Sequence, residues 1–373
     1  MWGAERGALW IDCEGQGGAL NREGHREHVN TVRKICALLS AFIFAFLFAA
    51  IPVSAHLIHK PIKRLICTLP HHVEALRILK VSKDIIVGVP IVGVPSNLDP
   101  EFFSEFGDVT GVGDMPWNPD IEIILAQNPD VVILPSCPGP YGYTADEETE
   151  QLESAGVTVL RFCLNQLETF PEELEKIGYV FGKKEEADEF IDWYEDVVNS
   201  IEEKTSGISE AERPKVYCEW LPYQISVADD DIIAAGGKDI YEGLNGEISA
   251  EDVMYKDPEI IIRPVWQGET GYGLDPDDTD RLEGVRMEII GRLPTVTAVK
   301  EGKVYLISSQ LWTYLPGSGC RQFIGLCYLA KWFHPELFKD LNPKAIHQEY
   351  LTRFQGLDID LDKQGVFVYP ELS

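Results

Sequence analysis

The chain has 373 residues, 45% of them hydrophobic and 25% charged, which is ordinary globular composition with enough length for two domains and argues against disorder. Its net charge of -29 lies wholly beyond residue 55, because residues 1–55 carry five basic side chains (Arg6, Arg22, Arg26, Arg33, Lys34) and five acidic ones (Glu5, Asp12, Glu14, Glu23, Glu27) that cancel. So acidic a surface repels phosphate backbones and anionic lipid, which excludes nucleic-acid binding and membrane docking through basic patches.

Arg33 and Lys34 precede an uncharged run, Ile35 to Val53, that ends in Val53-Ser54-Ala55. A basic start, an apolar core and a small-x-small end describe a secretory signal. The run is longer than the usual signal core, so two outcomes stay open: a cleaved leader or a retained membrane anchor. The position after the cleavage pattern is His56 and not the cysteine of a lipoprotein. The residues before Val29 show no periodicity and read as a mis-set translation start or a dispensable tail. Eight cysteines stand at 13, 36, 67, 137, 163, 218, 320 and 327, with no C-x-x-C pair, so no cysteine metal or redox motif is present. Export permits disulfides, but the sequence does not choose a connectivity among the six cysteines beyond residue 55.

From Lys63 the pattern is strand (RLICTLP), helix (HHVEALRILKVS, apolar at Val73, Leu76 and Leu79) and strand (DIIVGVP), by apolar periodicity and turn punctuation. NPDIEIILAQ is a capped helix and DVVILP a doubly buried strand, followed by the strand GVTVLRF. Alternating strands and helices imply parallel sheets with right-handed crossovers. Residues 171–206 differ: Ala187, Phe190, Ile191, Tyr194, Val197, Val198 and Ile201 fall at helical spacing, with Gly182 breaking an earlier turn from the main helix. The α/β alternation restarts after Pro214 with KVYCEW, DDIIAAGG, EDVMYKDPEIIIRPVW and GKVYLIS, then a helical stretch from Ser318 to Phe333.

An internal repeat organises this. Glu122 to Pro135 (EIILAQNPDVVILP) aligns without gaps onto Glu251 to Pro264 (EDVMYKDPEIIIRP) at an offset of 129. Each copy reads as helix, turn with proline, buried strand. Reuse of a common βαβ turn is the alternative source of such a match.

Five stretches then carry a family resemblance: KRLICTLPHHVEALRILKVSKDIIVGV; NPDIEIILAQNPDVVI; GKKEEADEFIDWYEDV; ISAEDVMYKDPEIII; and LPTVTAVKEGKVYLI leading to CRQFIGLCYLAKWFHPE. In this order, over roughly residues 61–336, the chain resembles the periplasmic binding proteins for iron-siderophore, haem and cobalamin uptake. Residues 337–373 fit poorly. The resemblance implies two Rossmann-like α/β lobes, at 61–168 and 214–373, with mainly parallel sheets joined by a single long helix over 171–206, the class III substrate-binding architecture. Residues 1–55 are the tail with signal or anchor. It also implies an exported, extracellular or periplasmic monomer that hands its ligand to the permease and ATPase of an ABC importer. In the family one glutamate per lobe meets permease arginines, and the matching positions are Glu122 and Glu251. Their alternative role is favourable placement at helix amino termini.

Open parallel sheets bind ligands beyond the carboxyl ends of their strands. The loops there hold Trp117, Tyr141 and Tyr143, Trp220 and Tyr223, Trp266 and Tyr272, Trp312 and Tyr314. Rings on facing loops sandwich a bulky apolar chelate with little loss of rotamer freedom; packing within a lobe is the alternative for any one of them. Arg321, after Gly317-Ser318-Gly319-Cys320, either pairs with an anionic group of the ligand or forms a salt bridge within its lobe. Arg263 is a weaker cation of the same kind. His71 and His72, with Glu74 nearby, are placed at the same mouth as ligand contacts, as axial donors to a haem or corrinoid, or as helix-start residues. No further histidines cluster with them, so no metal site is assigned. Asp275 to Asp280 lacks the glycine and distal glutamate of a calcium loop.

No G-x-S-x-G, G-x-x-x-x-G-K or H-E-x-x-H motif occurs, so no catalytic residues and no resident cofactor are expected. The expected ligand is an iron chelate of siderophore type, with a corrinoid or haem as alternatives. The rival class is a chelatase or nitrogenase-like enzyme, whose cytoplasmic setting the signal segment opposes.

Overall fold

The computed structural model describes residues 61–91, 98, 102–113, 119–137, 144–164, 166–225, 229–265, 279–312, 319–363 and 365–371. Residues 1–60, with the segment read from the sequence as a secretory signal or anchor, lie outside them. In chain order the elements are β1 (Leu65–Cys67), α1 (Pro70–Ile78), β2 (Ile86–Val89), β3 (Thr110–Gly111), α2 (Ile121–Ala126), β4 (Val131–Pro135), α3 (Asp146–Ser154), β5 (Thr158–Phe162), α4 (Phe170–Phe181) and α5 (Lys184–Thr205). There follow β6 (Lys215–Cys218), β7 (Gln224–Ile225), α6 (Asp229–Ala234), β8 (Lys238–Asp239), β9 (Gly246–Glu247), α7 (Ala250–Lys256), β10 (Ile260–Val265), α8 (Thr279–Arg292), α9 (Thr297–Lys300), β11 (Val304–Ser308), α10 (Gln322–Phe333), α11 (Pro343–Glu349) and β12 (Val368–Tyr369).

Among the described residues these strands build two five-stranded sheets, in the orders β3-β2-β1-β4-β5 and β12-β11-β10-β6-β8, with β7 and β9 as a separate ribbon. Every pairing in the first sheet is parallel. The second is parallel too, except where β12 joins β11 antiparallel. The fold is α/β, and helical crossovers cover both faces of sheets whose central strands are entirely buried, as β4 and β10 are.

The repeat shows in the backbone. Its strands, β4 and β10, each sit between two neighbours in their own sheet. The helices before them are capped alike: the Asp120 carboxylate accepts from Ile123 N at 3.0 Å, and the Ser249 hydroxyl from Asp252 N at 3.1 Å. Each copy leaves its helix through a left-handed residue, Asn128 at φ 48° and Asp257 at φ 50°. These positions are 129 apart, and asparagine and aspartate are the non-glycine residues that tolerate that conformation best. Two copies of the same turn chemistry therefore yield two copies of the same turn.

Gly182 ends α4 in the left-handed conformation, φ 65°, and α5 starts two residues later. Residues at helical spacing on α5 (Ala187, Phe190, Tyr194, Val198, Ile201) are buried. The Phe190 ring meets Phe170, Phe323, Tyr350 and Phe354 edge to face, so α5 packs on the carboxyl-terminal segment as well as on α4. Within α10, Gly325 allows the closest backbone approach: a Cβ there would lie 2.5 Å from Leu311 O and 2.7 Å from Trp312 Cβ. Alanine is the better helix former, but the overlap is with backbone that cannot yield, and forced overpacking costs more than propensity returns. Gly325→Ala is expected to lower unfolding stability by about 1–3 kcal/mol, read from urea midpoints; a gain in stability would show that the helix shifts freely.

Candidate ligand cleft

Past the carboxyl end of β1 the chain turns directly into α1, with Pro70 in the first helical turn where its missing N–H is no loss. His71 and His72, at 0% and 1% exposure, are enclosed rather than presented to solvent. The His72 ring lies 3.2 Å from Phe162 O. Burial pulls its pKa down to about 4 against that bond, so it is neutral above pH 5. The roof over this helix end is the turn Gly319–Arg321. Gly319 is left-handed (φ 49°), and a Cβ on it would overlap His71 Cβ. The Cys320 thiol donates to His71 O at 3.5 Å. The amino end of α1 and the amino end of α10 thus abut, although 247 residues separate Glu74 from Arg321.

Those two residues form the central ion pair. Arg321 Nη2 lies 2.7 Å from Glu74 Oε1, with both side chains no more than 2% exposed. The second carboxylate oxygen accepts from the Tyr350 hydroxyl at 2.7 Å. Arg321 Nη1 donates to Gln310 Oε1 at 2.8 Å, and its guanidinium lies over the Phe102 ring, 4.5 Å from the centroid. Gln355 donates to Glu74 O and to the Tyr350 hydroxyl, and accepts from Arg77 Nη1 at 3.1 Å. The salt-bridge alternative for Arg321 is therefore the one present, with a correction: its partner comes from α1, after the first sheet's β1, and not from its own lobe.

At the carboxyl edge of the second sheet, Glu219 follows β6 fully buried. It accepts from the Tyr217 hydroxyl at 2.9 Å and from Tyr223 N at 3.3 Å, and it pairs with Arg292. Arg263 Nη1 lies 3.8 Å from Glu219 and 3.8 Å from Glu288, so this cation is held internally. Arg292 also lies over the Tyr223 ring at 4.6 Å, and Tyr223 is left-handed at φ 60°. Trp220 and Tyr223 are half-buried on this edge.

Trp312, after β11, is 2% exposed. Its indole N–H and the Gln322 amide both donate to Asp231 Oδ2, at 2.7 and 2.8 Å. Burial raises the Asp231 pKa to about 6 against these two bonds. A carboxyl with a raised folded pKa adds stability that is fully present below about pH 4 and lost as pH climbs through about 6. His72, and His347 with its pKa lowered to about 3 by burial and the Arg321 charge, act oppositely. Their contribution is present above about pH 6.5 and is lost as pH falls toward 4 and 3. Asp231→Asn removes the opposing contribution, so its urea midpoint is expected to drop more steeply between pH 6 and pH 4 than that of the unmodified chain. Parallel curves would refute the assignment.

The structure brings His71, Trp312 and Arg321 into the enclosed layer between the two sheets' helix ends, and leaves Trp220 and Tyr223 partly open. Trp117, Tyr141, Tyr143, Trp266, Tyr272 and Tyr314 lie outside the described residues, as does most of the Asp275–Asp280 stretch. Glu122 and Glu251 are exposed in the first turns of α2 and α7, and among the described residues neither forms an ion pair. Glu219, Arg292 and Asp231 had no signal in the sequence, because an isolated charged residue reads as solvated until its partners are known. Cys137 and Cys163, at the ends of neighbouring strands, form a disulfide with Cα atoms 4.7 Å apart. Among the described residues no group of three His, Cys, Asp or Glu side chains is placed to hold a metal ion, and no helix is long and apolar enough to cross a membrane.

The family profile described as Periplasmic binding protein matches residues 75–311. No curated protein matches by sequence. Among solved structures, an ABC transporter solute binding protein from Sulfurospirillum deleyianum superposes with a TM-score of 0.66 at 20% identity, covering 82% of this chain and 93% of its own. The TroA-like periplasmic binding protein FepB from Veillonella parvula gives 0.66 at 21% identity, covering 83% and 95%. The molybdate periplasmic binding protein MolA of Haemophilus influenzae, bound to molybdate, gives 0.60 at 20% identity, covering 80% and 94%.

Proposed function

From the premise that this chain belongs to the periplasmic binding protein family of ABC importers, we propose that it captures an iron chelate outside the cytoplasmic membrane and presents it to its permease and ATPase. The observation that carries the choice of a chelate over a bare ion is the enclosure of the histidines. His71 and His72 are 0% and 1% exposed, so neither is available to ligate an ion arriving in the cleft. The same burial removes the axial donor that a haem or corrinoid would draw from them. What remains at the strand ends among the described residues is aromatic, Trp220 and Tyr223 on the second sheet, and with Trp117, Tyr141, Tyr143 and Trp266, assigned to the cleft from the sequence, such rings suit contact with the organic shell of a metal complex. Arg321, His71 and Trp312 we assign to positioning the two halves beneath that surface. The Cys137–Cys163 disulfide suits an oxidising compartment and supports export.

Native mass spectrometry against ferric hydroxamate and catecholate chelates, haemin and cobalamin tests the reading. One ferric chelate is expected to bind one-to-one with tryptophan quenching and without turnover, and Trp220→Ala is expected to weaken it about tenfold, a loss of roughly 1.4 kcal/mol. Binding of haemin or cobalamin in preference to every ferric chelate would replace the ligand assignment, and turnover would replace the class.

A further inference from the structure

Tyr255, on α7, is 88% exposed, the most exposed of the large hydrophobic side chains among the described residues. A single apolar residue in solvent is ordinary, but this one has a particular neighbour. It stands four residues after Glu251, so the two share a helix face with Cβ atoms about 5–6 Å apart. Long side chains on a helix lean toward its amino end, which tilts the ring toward the carboxylate. The other side chains of this helix are engaged within the protein. Val253 is buried, Asp252 accepts from the Tyr241 hydroxyl at 2.8 Å, and Lys256 donates to Ile240 O at 2.9 Å while lying over the Tyr241 ring. Glu251 and Tyr255 are left facing outward.

A carboxylate beside an aromatic ring is the arrangement in which this chain holds its own arginines. Arg292 pairs with Glu219 and lies over Tyr223, Arg321 pairs with Glu74 and lies over Phe102, and Arg353 pairs with Glu349 and lies over Phe354. In each the guanidinium carbon stands 4.5 or 4.6 Å from the ring centroid. A guanidinium is planar and weakly hydrated, so its edge satisfies a carboxylate while its face rests on a π-system. The compact, strongly hydrated ammonium of lysine suits such a pair less well.

We propose that Glu251 and Tyr255 together receive one arginine of the permease, the carboxylate pairing with the guanidinium and the ring stacking on its face. This rests on the reading that the chain docks on its permease through Glu122 and Glu251, and it adds the residue that gives one of those contacts its strength. An exposed ion pair alone is worth little. A ring that excludes water from the pair makes it a hot spot, a role in which tyrosine and arginine are enriched. In the first copy of the repeat the position 129 residues earlier is Ala126, so the aromatic half belongs to the second copy only.

The test is docking of the full chain on the importer's permease–ATPase complex in lipid nanodiscs, read by biolayer interferometry. Tyr255→Ala is expected to weaken docking about tenfold or more, and Tyr255→Phe, which keeps the ring, by less than about threefold. Both residues hold the same guanidinium, so Tyr255→Ala combined with Glu251→Gln is expected to weaken docking by less than the product of the single effects. At 88% exposure neither change at Tyr255 touches the core. Docking unaltered by Tyr255→Ala, equal losses with alanine and phenylalanine, or single effects that multiply would overturn the proposal. The underlying reading fails separately: normal docking with Glu122 and Glu251 both changed to lysine ends it, whereas loss in that variant beside normal docking of Tyr255→Ala ends only the role of the ring.

Discussion

Glu74→Ala is expected to cost about 3–5 kcal/mol of unfolding stability, because it leaves the Arg321 guanidinium buried without its counter-charge. The pair is enclosed: the Tyr350 hydroxyl donates to the carboxylate while Gln355 holds the Glu74 main-chain carbonyl, and Gln310 and the Phe102 ring complete the surroundings of the arginine. Changing Tyr350 to phenylalanine removes two bonds, one given to the Glu74 carboxylate and one accepted from the Gln355 amide, and is expected to cost about 1–3 kcal/mol. Replacing both charged partners, Glu74→Leu with Arg321→Met, is expected to recover most of the loss, since a buried ion pair is worth little more than apolar groups of the same volume. Urea midpoints of the unmodified chain, Glu74→Leu, Arg321→Met and the double variant form a double-mutant cycle. Strict additivity, or a single-variant cost below about 1 kcal/mol, would mean that the pair is hydrated and not enclosed. The pairing also bears on function. It ties the helix after β1 to the turn before α10, at the base of the proposed cleft, so a relaxed pair would alter the spacing of the two ring-bearing edges while leaving the rings themselves intact.

Reversing Glu122 and Glu251 together to lysine is expected to reduce uptake to background while chelate binding by the isolated protein is unchanged. Both carboxylates project from first helical turns and are exposed, one before each central repeat strand. A carboxylate so placed accepts a bidentate arginine without first breaking an internal pair, and two anchors far apart in sequence orient the protein as well as attract it. Losing a close charge pair at an interface costs about 2–5 kcal/mol. Two losses with reversed sign thus weaken docking by roughly a thousandfold or more. The helix-dipole alternative predicts something else: a stability change of about 1 kcal/mol or less per site and normal uptake. Uptake in cells bearing the double variant, measured beside ligand titration of the purified chain, separates the two. Normal uptake would end the docking assignment.

Most of the secondary structure was legible before any coordinates. Period-2 and period-3.6 patterns mark β1, α1, β4, α5 and β10, and the offset of 129 links β4 with β10, each of which lies between two neighbours in its own sheet. The proposed cleft was read from the sequence only as a set of strand-end aromatics, most of which lie outside the described residues. Which of these are open and which are packed away was not, as Trp220 and Trp312 show: both follow a strand of the second sheet, yet one is half-exposed and the other is sealed by Asp231 and Gln322.

The residues by themselves determined what depends on near neighbours in the chain: strand and helix periods, caps at Asp120 and Ser249, the left-handed turns at Asn128 and Asp257, the break at Gly182, and the repetition that makes two sheets. Only the tertiary structure decided which buried charges meet. Glu74 with Arg321, Glu219 with Arg292 and Cys137 with Cys163 are joined across 247, 73 and 26 residues. The reason is physical: backbone preference and apolar periodicity act over a few residues, whereas burial of a charge is tolerable only opposite a particular partner, and that partner's position is set by how the sheets pack.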